Sequence, residues 1–394
     1  MWRITPAGHN APTPADASSA STGTLAARLP SPRSLMAPLD RPLLTQPATA
    51  DFQLSAELRA SRDRARDRSL PLVERLDAFE DLFESEVGDT PLLRARNVER
   101  ACDLRQIYLK FEGGNPSGTQ KDRIAFAQVM DALRQGYERI TVATCGNYGV
   151  AIALAASLAG LECEIFVPER YHTRRVTEME RYQAKILRGP KGYEETVDAS
   201  REHARTTEAY DANPGGVNEI IQLQAYGQIA YEIYDELRDA PLVCAVPVSN
   251  GTVLAGIHRG FQSLHRRGKT SRMPRMIAGS ARNANPIVAA LSLGLDSCED
   301  LPPESVRETA TNEPLVNWHS IDGELALQAV RTTRGWGHAA TDKRMKDMAR
   351  LLRDQQGLEV LPASTAGLIA LVDAYQEHDL APDRYVAVLT GRGR

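Results

Sequence analysis

Lys121 stands where a covalent amine would be mounted. In Asn115-Pro116-Ser117-Gly118-Thr119-Gln120-Lys121-Asp122-Arg123 the turn residues stop one element, and an apolar, helix-like run, Ile124 to Leu133, starts behind them. This places the lysine at a loop-to-helix junction, held by the helix and facing a cavity. An amine so held and partly desolvated is nucleophilic near neutral pH and can form a Schiff base with a carbonyl. Alone, the stretch fits a solvated surface lysine better, because lysines are mostly exposed. Other loops of the chain shift that balance.

Three further stretches carry groups suited to holding a small anionic ligand. The loop Pro247 to Gly256 follows a buried-looking strand and opens a helix. Its Val248, Ser249, Asn250, Gly251 and Thr252 offer backbone N–H groups and a hydroxyl, the equipment of a phosphate site at a helix N-terminus. It lacks the Gly-Lys-Ser/Thr of a Walker loop and the Gly-x-Gly-x-x-Gly of a dinucleotide site, and a plain turn is its ordinary alternative. The loop Thr144, Cys145, Gly146, Asn147, Tyr148 has the same strand-to-helix position and could hold a carboxylate, with Asn147 able to bond a phenol oxygen. Helix capping by Thr144 or Asn147 is the alternative there. Cys145 has no histidine beside it to act as a base, so it reads as a small loop residue. The last strand ends in Leu389-Thr390-Gly391, where the Thr390 hydroxyl could enter a site; a frayed C-terminus is the more ordinary reading.

The elements that must position these loops alternate. Strands are expected at Gln106–Glu112, Ile140–Thr144, Cys163–Val167, Lys185–Leu187, Leu242–Pro247, Met276–Gly279 and Tyr385–Leu389. Helices are expected at Leu54–Arg66, Leu72–Phe83, Ile124–Leu133, Val150–Leu158, Arg174–Tyr182, Glu194–Thr207, Ala225–Leu237, Val253–His265, Asp342–Gln356 and Ser364–Tyr375. Strands alternating with helices mean an α/β fold with an open, largely parallel sheet, whose ligands collect at the strand C-termini.

Composition narrows the class. A chain of 394 residues with net charge -4 has room for two domains and lacks the basic balance of a nucleic-acid binder. No apolar run reaches the roughly 18 residues of a membrane span. Five scattered cysteines form no Cys-x-x-Cys pair and no disulfide framework, and the eight histidines show no metal spacing. The expected setting is reducing and cytoplasmic. Residues 1–51 are rich in Ala, Pro, Ser and Thr and read as a disordered N-terminal extension rather than a transit peptide.

Taken in this order, the stretches resemble the fold type II pyridoxal-phosphate enzymes, the tryptophan-synthase β-like family, and within it the threonine synthase branch. The resemblance spans Thr90 to Arg394. It implies a two-domain α/β fold with open, mostly parallel sheets and flanking helices, and pyridoxal 5'-phosphate in the interdomain cleft. It further implies a large domain from 52–114 and 212–394, a small domain at 115–211, and a homodimer. By the same resemblance Lys121 is the Schiff-base lysine, and Thr144 to Tyr148 bind the substrate carboxylate. Asn147 contacts the cofactor's phenolic oxygen, Val248 to Thr252 hold its phosphate, and the Thr390 hydroxyl meets its pyridine nitrogen. Pro362-Ala363-Ser364-Thr365-Ala366-Gly367 matches a further family segment. The implied chemistry is β- or γ-elimination and replacement on a small amino-acid substrate. A β-replacing transferase of the cysteine or cysteate synthase kind, or a serine/threonine dehydratase, are the alternatives. A non-catalytic regulator on the same fold is opposed by the intact Lys121.

The resemblance thins at one place. Threonine synthases bind the substrate's phosphate with a segment like Asn-Ser-x-Asn-Pro-x-Arg-x-x-Gly-Gln. Aligned on Gly227-Gln228, this chain has Asn218 in place, Glu219 for the serine and Gln224 for the arginine. A carboxylate there repels a phosphate, and the guanidinium fork is lost. Asn218 and Glu219 are therefore expected at the substrate site, and O-phosphohomoserine is expected not to be the best substrate. Arg170, Arg174 or Arg175 is the alternative phosphate partner.

Overall fold

Buried strands separated by helices build two sheets. The computed structural model describes residues 53–169, 175–190, 192–378 and 380–393. The extension expected at 1–51, and with it Arg170 and Arg174, lie outside the described residues. The strands are β1 (Leu92–Arg94), β2 (Ile107–Phe111), β3 (Arg139–Ala143), β4 (Glu162–Pro168), β5 (Lys185–Gly189), β6 (Tyr210–Asp211), β7 (Val243–Pro247), β8 (Arg275–Ala281), β9 (Gly337–Ala340) and β10 (Tyr385–Leu389). The helices are α1 (Ala56–Arg66), α2 (Leu72–Glu86), α3 (Arg96–Cys102), α4 (Lys121–Arg134), α5 (Asn147–Ala159), α6 (Arg175–Arg181) and α7 (Tyr193–Thr207). They continue with α8 (Glu219–Leu237), α9 (Thr252–Arg266), α10 (Pro286–Leu293), α11 (Gly323–Thr332), α12 (Asp342–Gln356) and α13 (Ala366–Ala374).

One sheet has the strand order β1-β2-β10-β7-β8-β9 and the other β5-β4-β3-β6. Among the strand pairings of the described residues, only β1–β2 is antiparallel. The four-stranded sheet is drawn wholly from residues 139–211, between the stretches that build the six-stranded one. Both belong to one compact unit, Leu44–Arg394. Parallel strands are joined by helices that cover both faces, so they read as continuous apolar runs. β7, Val-Cys-Ala-Val-Pro, and β10, Tyr-Val-Ala-Val-Leu, are buried at every position.

Two helices matter most for the site because they begin at its loops. α5 is small, apolar and buried nearly all round, and it stops at Gly160 in the left-handed region, φ 72°. α9 lies against α8 so closely that a Cβ on Gly260 would sit 2.4 Å from the Gly227 carbonyl oxygen. Only glycine permits that approach, which fixes the direction of α9 and of the loop in front of it.

Several elements differ from the sequence reading. α8 begins at Glu219 rather than Ala225, so the segment aligned with the substrate-phosphate motif is helix. Helices α3, α10 and α11 and strands β6 and β9 are additional to the sequence reading. β9, Gly-His-Ala-Ala, has no strand propensity of its own and exists through its register with β8, Ala278 opposite Gly337.

Candidate active site

Lys121 is the first residue of α4, and its turn is tied on two sides. Asp122 accepts hydrogen bonds through Oδ2 from the Ser117 N–H at 3.0 Å and the Ser117 hydroxyl at 2.9 Å. The Gln120 N–H donates to the Thr390 carbonyl at 3.0 Å, Thr119 bridges Gly391, and the Arg392 N–H donates to the Gly118 carbonyl at 3.0 Å. The end of β10 is therefore not frayed. It forms the outer wall of the lysine turn, and the Val360–Arg392 bridge holds its far side.

One turn further, Arg123 anchors the helix. Its guanidinium donates to Glu112 at 2.6 and 2.9 Å and to Glu232 at 2.7 and 2.9 Å. Lys110 completes the group through Glu232 and the Thr90 carbonyl, the latter at 2.6 Å. Burial alone would raise the Glu232 carboxyl, but Arg123 and Lys110 hold it down to about 2. This network pins α4 to β2 and α8, and so fixes where the lysine points.

The amine lies between two aromatic faces, 6.0 Å from the Tyr148 ring centre and 5.9 Å from that of Tyr226. Burial lowers its pKa to about 8, with the Asp322 carboxylate pulling the other way. A quarter or so of such amines are neutral near pH 7.5, as a nucleophile or base requires. The Tyr148 hydroxyl is spent on the Gln128 side chain and on the Ala212 carbonyl at 2.8 Å, so this residue offers its ring. The Tyr226 hydroxyl and the Asp122 Oδ1 are buried without a hydrogen-bond partner among the described residues. Burial also pushes the Asp122 carboxyl up to about 7. Orphaned buried polar atoms on residues around a desolvated amine are the mark of a site that expects a ligand or ordered water.

The loop between β7 and α9 is built for an anion. From Ser249 to Leu254 no backbone N–H meets an acceptor among the described residues. Its carbonyls, in contrast, are held from behind. Val248 O accepts from the Ser280 hydroxyl at 2.6 Å, and Ser249 O from Asn285 at 2.9 Å and Ser320 at 3.0 Å. Asn250 O accepts from the Asp322 N–H at 2.9 Å, and its side chain from Asn317. Gly251 takes φ 92°, and a Cβ there would lie 2.7 Å from the Asp322 carbonyl oxygen. With its carbonyls held and its N–H groups free, the loop has the equipment to hold an anion such as a phosphate.

The other expected residues divide. Asn147 opens α5 half-buried, and neither its side chain nor the Asn147 and Tyr148 N–H groups has an acceptor or donor partner among the described residues. Tyr148 brings this loop to Lys121. Thr144 is buried, with its N–H on the Phe166 carbonyl at 3.0 Å, and Gly146 sits with the Glu313 carboxylate 3.6 Å from its Cβ direction. The Cys145 thiol is pushed up to about 12 by burial and then by Glu313 and Glu308, which leaves it inert. Thr390 keeps its hydroxyl without a hydrogen bond among the described residues. Asn218 donates its amide to the Asp211 and Asn213 carbonyls at 2.8 and 2.9 Å and accepts from Tyr210, contacts that shape the chain before α8. Gln224 is exposed on the same helix face as Gln228, away from the buried Tyr226. Glu219 is half-buried, lines a separate cavity of about 740 Å³ with His258 and Arg259, and acts on Asp322.

Sequence reasoning missed Tyr226 and Asp322. Tyr226 lies in a segment read for its polar motif, and nothing local marks it. Asp322 had a signal: an Asp just before a helix-forming run is an N-cap candidate.

Comparison with known proteins gives the family and the fold. The family model described as "Pyridoxal-phosphate dependent enzyme" matches residues 83–391. A threonine synthase of Methanocaldococcus jannaschii is 27% identical over 343 residues, covering 85% of this chain and 83% of that protein. Among solved structures, serine racemase from Dictyostelium discoideum superposes with TM-score 0.66 at 15% identity, covering 81% of this chain and 97% of that one. The processed form of threonine deaminase isoform 2 from Solanum lycopersicum does so with TM-score 0.66 at 14% identity, covering 89% and 93%. At such identities the structural likeness carries the fold, and the fold is that of type II enzymes.

Proposed function

We propose, from the premise that this chain belongs to the pyridoxal-phosphate dependent enzyme family, that it is a lyase or synthase with Lys121 as the amine carrying the cofactor. It would remove a β- or γ-substituent from an amino acid and add a nucleophile in its place. The observation that carries this reading is the Lys121 amine, lowered to about 8 between Tyr148 and Tyr226. The bound cofactor supplies an electron sink for the carbanion formed at the substrate α-carbon.

The chain's own residues divide the remaining work. The Lys121 amine would also serve as the base for the substrate α-proton. The Thr144 to Tyr148 loop would hold the substrate carboxylate at the start of α5, and Asn147 would bond the cofactor's phenolic oxygen. Val248, Ser249, Asn250, Gly251 and Thr252 hold the cofactor phosphate. Thr390 would offer a neutral hydroxyl to the pyridine nitrogen, which would not enforce its protonation and would favour elimination and replacement over transamination. The two sheets would be the cores of a small domain near 115–211 and a large domain from 52–114 and 212–394. We place the enzyme in the cytoplasm as a homodimer.

The test is kcat/KM for O-phosphohomoserine beside O-acetylserine, O-phosphoserine, O-acetylhomoserine and threonine. Threonine and phosphate from O-phosphohomoserine mark a threonine synthase. Consumption of an activated serine only with a second nucleophile marks a β-replacing transferase, and a 2-oxo acid from threonine marks a dehydratase. Borohydride reduction followed by peptide mapping should label Lys121, and Lys121→Ala should abolish label and turnover with the fold kept. A label on another lysine ends the assignment.

A further inference from the structure

The phosphate cradle contains a carboxylate. Asp322 is 2% exposed, precedes α11 and comes from a segment, Asn317 to Asp322, that wraps the back of the Ser249–Thr252 loop. Its carboxylate accepts the Thr252 hydroxyl, the one side-chain hydroxyl at the start of α9. A phosphate lying on the free N–H groups of this loop would meet the same hydroxyl, because Thr252 belongs to the loop and opens α9.

Hydrogen counting makes the arrangement informative. A threonine hydroxyl has one proton to donate and lone pairs to accept with. With that proton on Asp322, Thr252 shows only lone pairs to the phosphate. A phosphate dianion has no proton to give it, so two acceptors would face one another. Two acids so close do not both ionise; one of them keeps a proton. A single added proton repairs the chain in either direction: from the phosphate to Thr252 and on to Asp322, or from Asp322 to Thr252 and on to the phosphate.

We propose that Asp322 shares a proton with the phosphate bound in this loop, so that phosphate binding takes up one proton. The inference rests on the cofactor reading of the Ser249–Thr252 loop. It needs no covalent change; one proton moves from solvent to the Asp322–Thr252–phosphate chain. The groups facing Asp322 are Thr252 on α9, Lys121 on α4, and Glu219 and Tyr226 on α8. Burial raises the Asp322 carboxyl, Thr252 opposes that, Glu219 adds to it and Lys121 opposes it. Glu219 therefore favours a proton in the chain, and the Lys121 amine is mostly cationic across the window, below its own pKa of about 8.

The probe is pyridoxine 5'-phosphate, which has an alcohol where the cofactor has its aldehyde and cannot attach to Lys121. Its Kd is measured on cofactor-free wild type and Asp322→Asn between pH 6.5 and 7.5, where a phosphomonoester, second pKa about 6, is mostly dianion. Wild type should weaken about tenfold across that unit, the signature of one proton taken up. Asp322→Asn should change less than about twofold, because ring groups of the probe contribute equally to both proteins. A second measurement needs no variant: calorimetry of methyl phosphate binding to wild type at pH 7 in two buffers of different ionisation enthalpy should show close to one proton taken up. Equal slopes for the two proteins, or no proton uptake with methyl phosphate, overturns the role of Asp322 while leaving the cradle intact. Failure of either protein to bind pyridoxine 5'-phosphate at any pH overturns the cofactor reading of the loop as well.

Discussion

Lys121 should react with an aldehyde at a pH where other lysines do not. Its pKa of about 8 makes about a quarter of the amine neutral at pH 7.5, against about one in a thousand for an ordinary lysine near 10.4, an advantage of roughly two hundredfold. The cause is burial beside Tyr148 and Tyr226, partly offset by Asp322. The assay uses pyridoxal, which lacks the phosphate, so the cradle's own titration does not enter. Cofactor-free protein is mixed with pyridoxal, quenched with borohydride at intervals, and the labelled peptides are counted by mass spectrometry. Labelling of Lys121 should rise through pH 8 and level off, while exposed lysines continue to rise toward pH 10. Tyr226→Ala removes one wall of the site, since Tyr226 is 1% exposed, and lets water reach the amine. The midpoint should then move up by a unit or more, lowering the rate at pH 7.5 about tenfold. A wild-type midpoint above 10, or no movement in Tyr226→Ala of intact fold, refutes the argument that burial activates the amine.

Other outcomes follow from the same contacts. Arg123→Met leaves Glu112 and Glu232 buried without their guanidinium and should cost about 3–5 kcal/mol in urea unfolding at pH 7. Because the Glu232 pKa is lowered, to about 2, the stability it contributes is complete above the ordinary glutamate range and is lost as pH falls toward 2, so the gap between wild type and Arg123→Met should close in acid. Tyr226→Phe deletes a hydroxyl without a partner among the described residues and should change the cofactor-free protein's stability by less than about 1 kcal/mol, in contrast to the 3–5 kcal/mol expected for Tyr226→Ala. Lys121→Met should stabilise the cofactor-free protein at pH 7, because the lowered lysine pKa means folding disfavours the charged amine; thermal melts should show the gain shrinking between pH 8 and 10.5.

What the sequence revealed was local. The turn before Lys121, the Gly-containing loop before α9 and the small-residue loop before α5 are each written in consecutive residues, and each lies where the pattern places it. The α/β alternation is legible for the same reason, because buried parallel strands are short apolar runs. What escaped depends on contacts far apart in the chain. Thr252 and Asp322 are 70 residues apart, and Arg123 and Glu232 are 109. The end of β10 looked free because nothing in Leu389-Thr390-Gly391 records that Thr119 and Gln120 pair with it. Strand β9 escaped because its register with β8, rather than its own composition, makes it a strand.

The structure also changes the terms on which substrate choice should be argued. A phosphate-bearing substrate was expected to suffer from two replacements, Glu219 for serine and Gln224 for arginine. With α8 starting at Glu219, these residues lie more than one turn apart on a helix, and Gln224 is on its exposed face. The loss of an arginine there says little about a site that the helix turns away from. Glu219 keeps its force for a different reason, since it acts on Asp322 and through it on the cradle at the start of α9. A second phosphate, on a substrate, would enter a neighbourhood where Asp322 already requires a proton to accept the first. Any discrimination against O-phosphohomoserine would then depend on carboxylate charge rather than on a missing guanidinium. Neutralising the charge alone, in Glu219→Gln, should improve kcat/KM for phosphate-bearing substrates over acetyl-bearing ones, and an unchanged ratio would remove Glu219 from the argument.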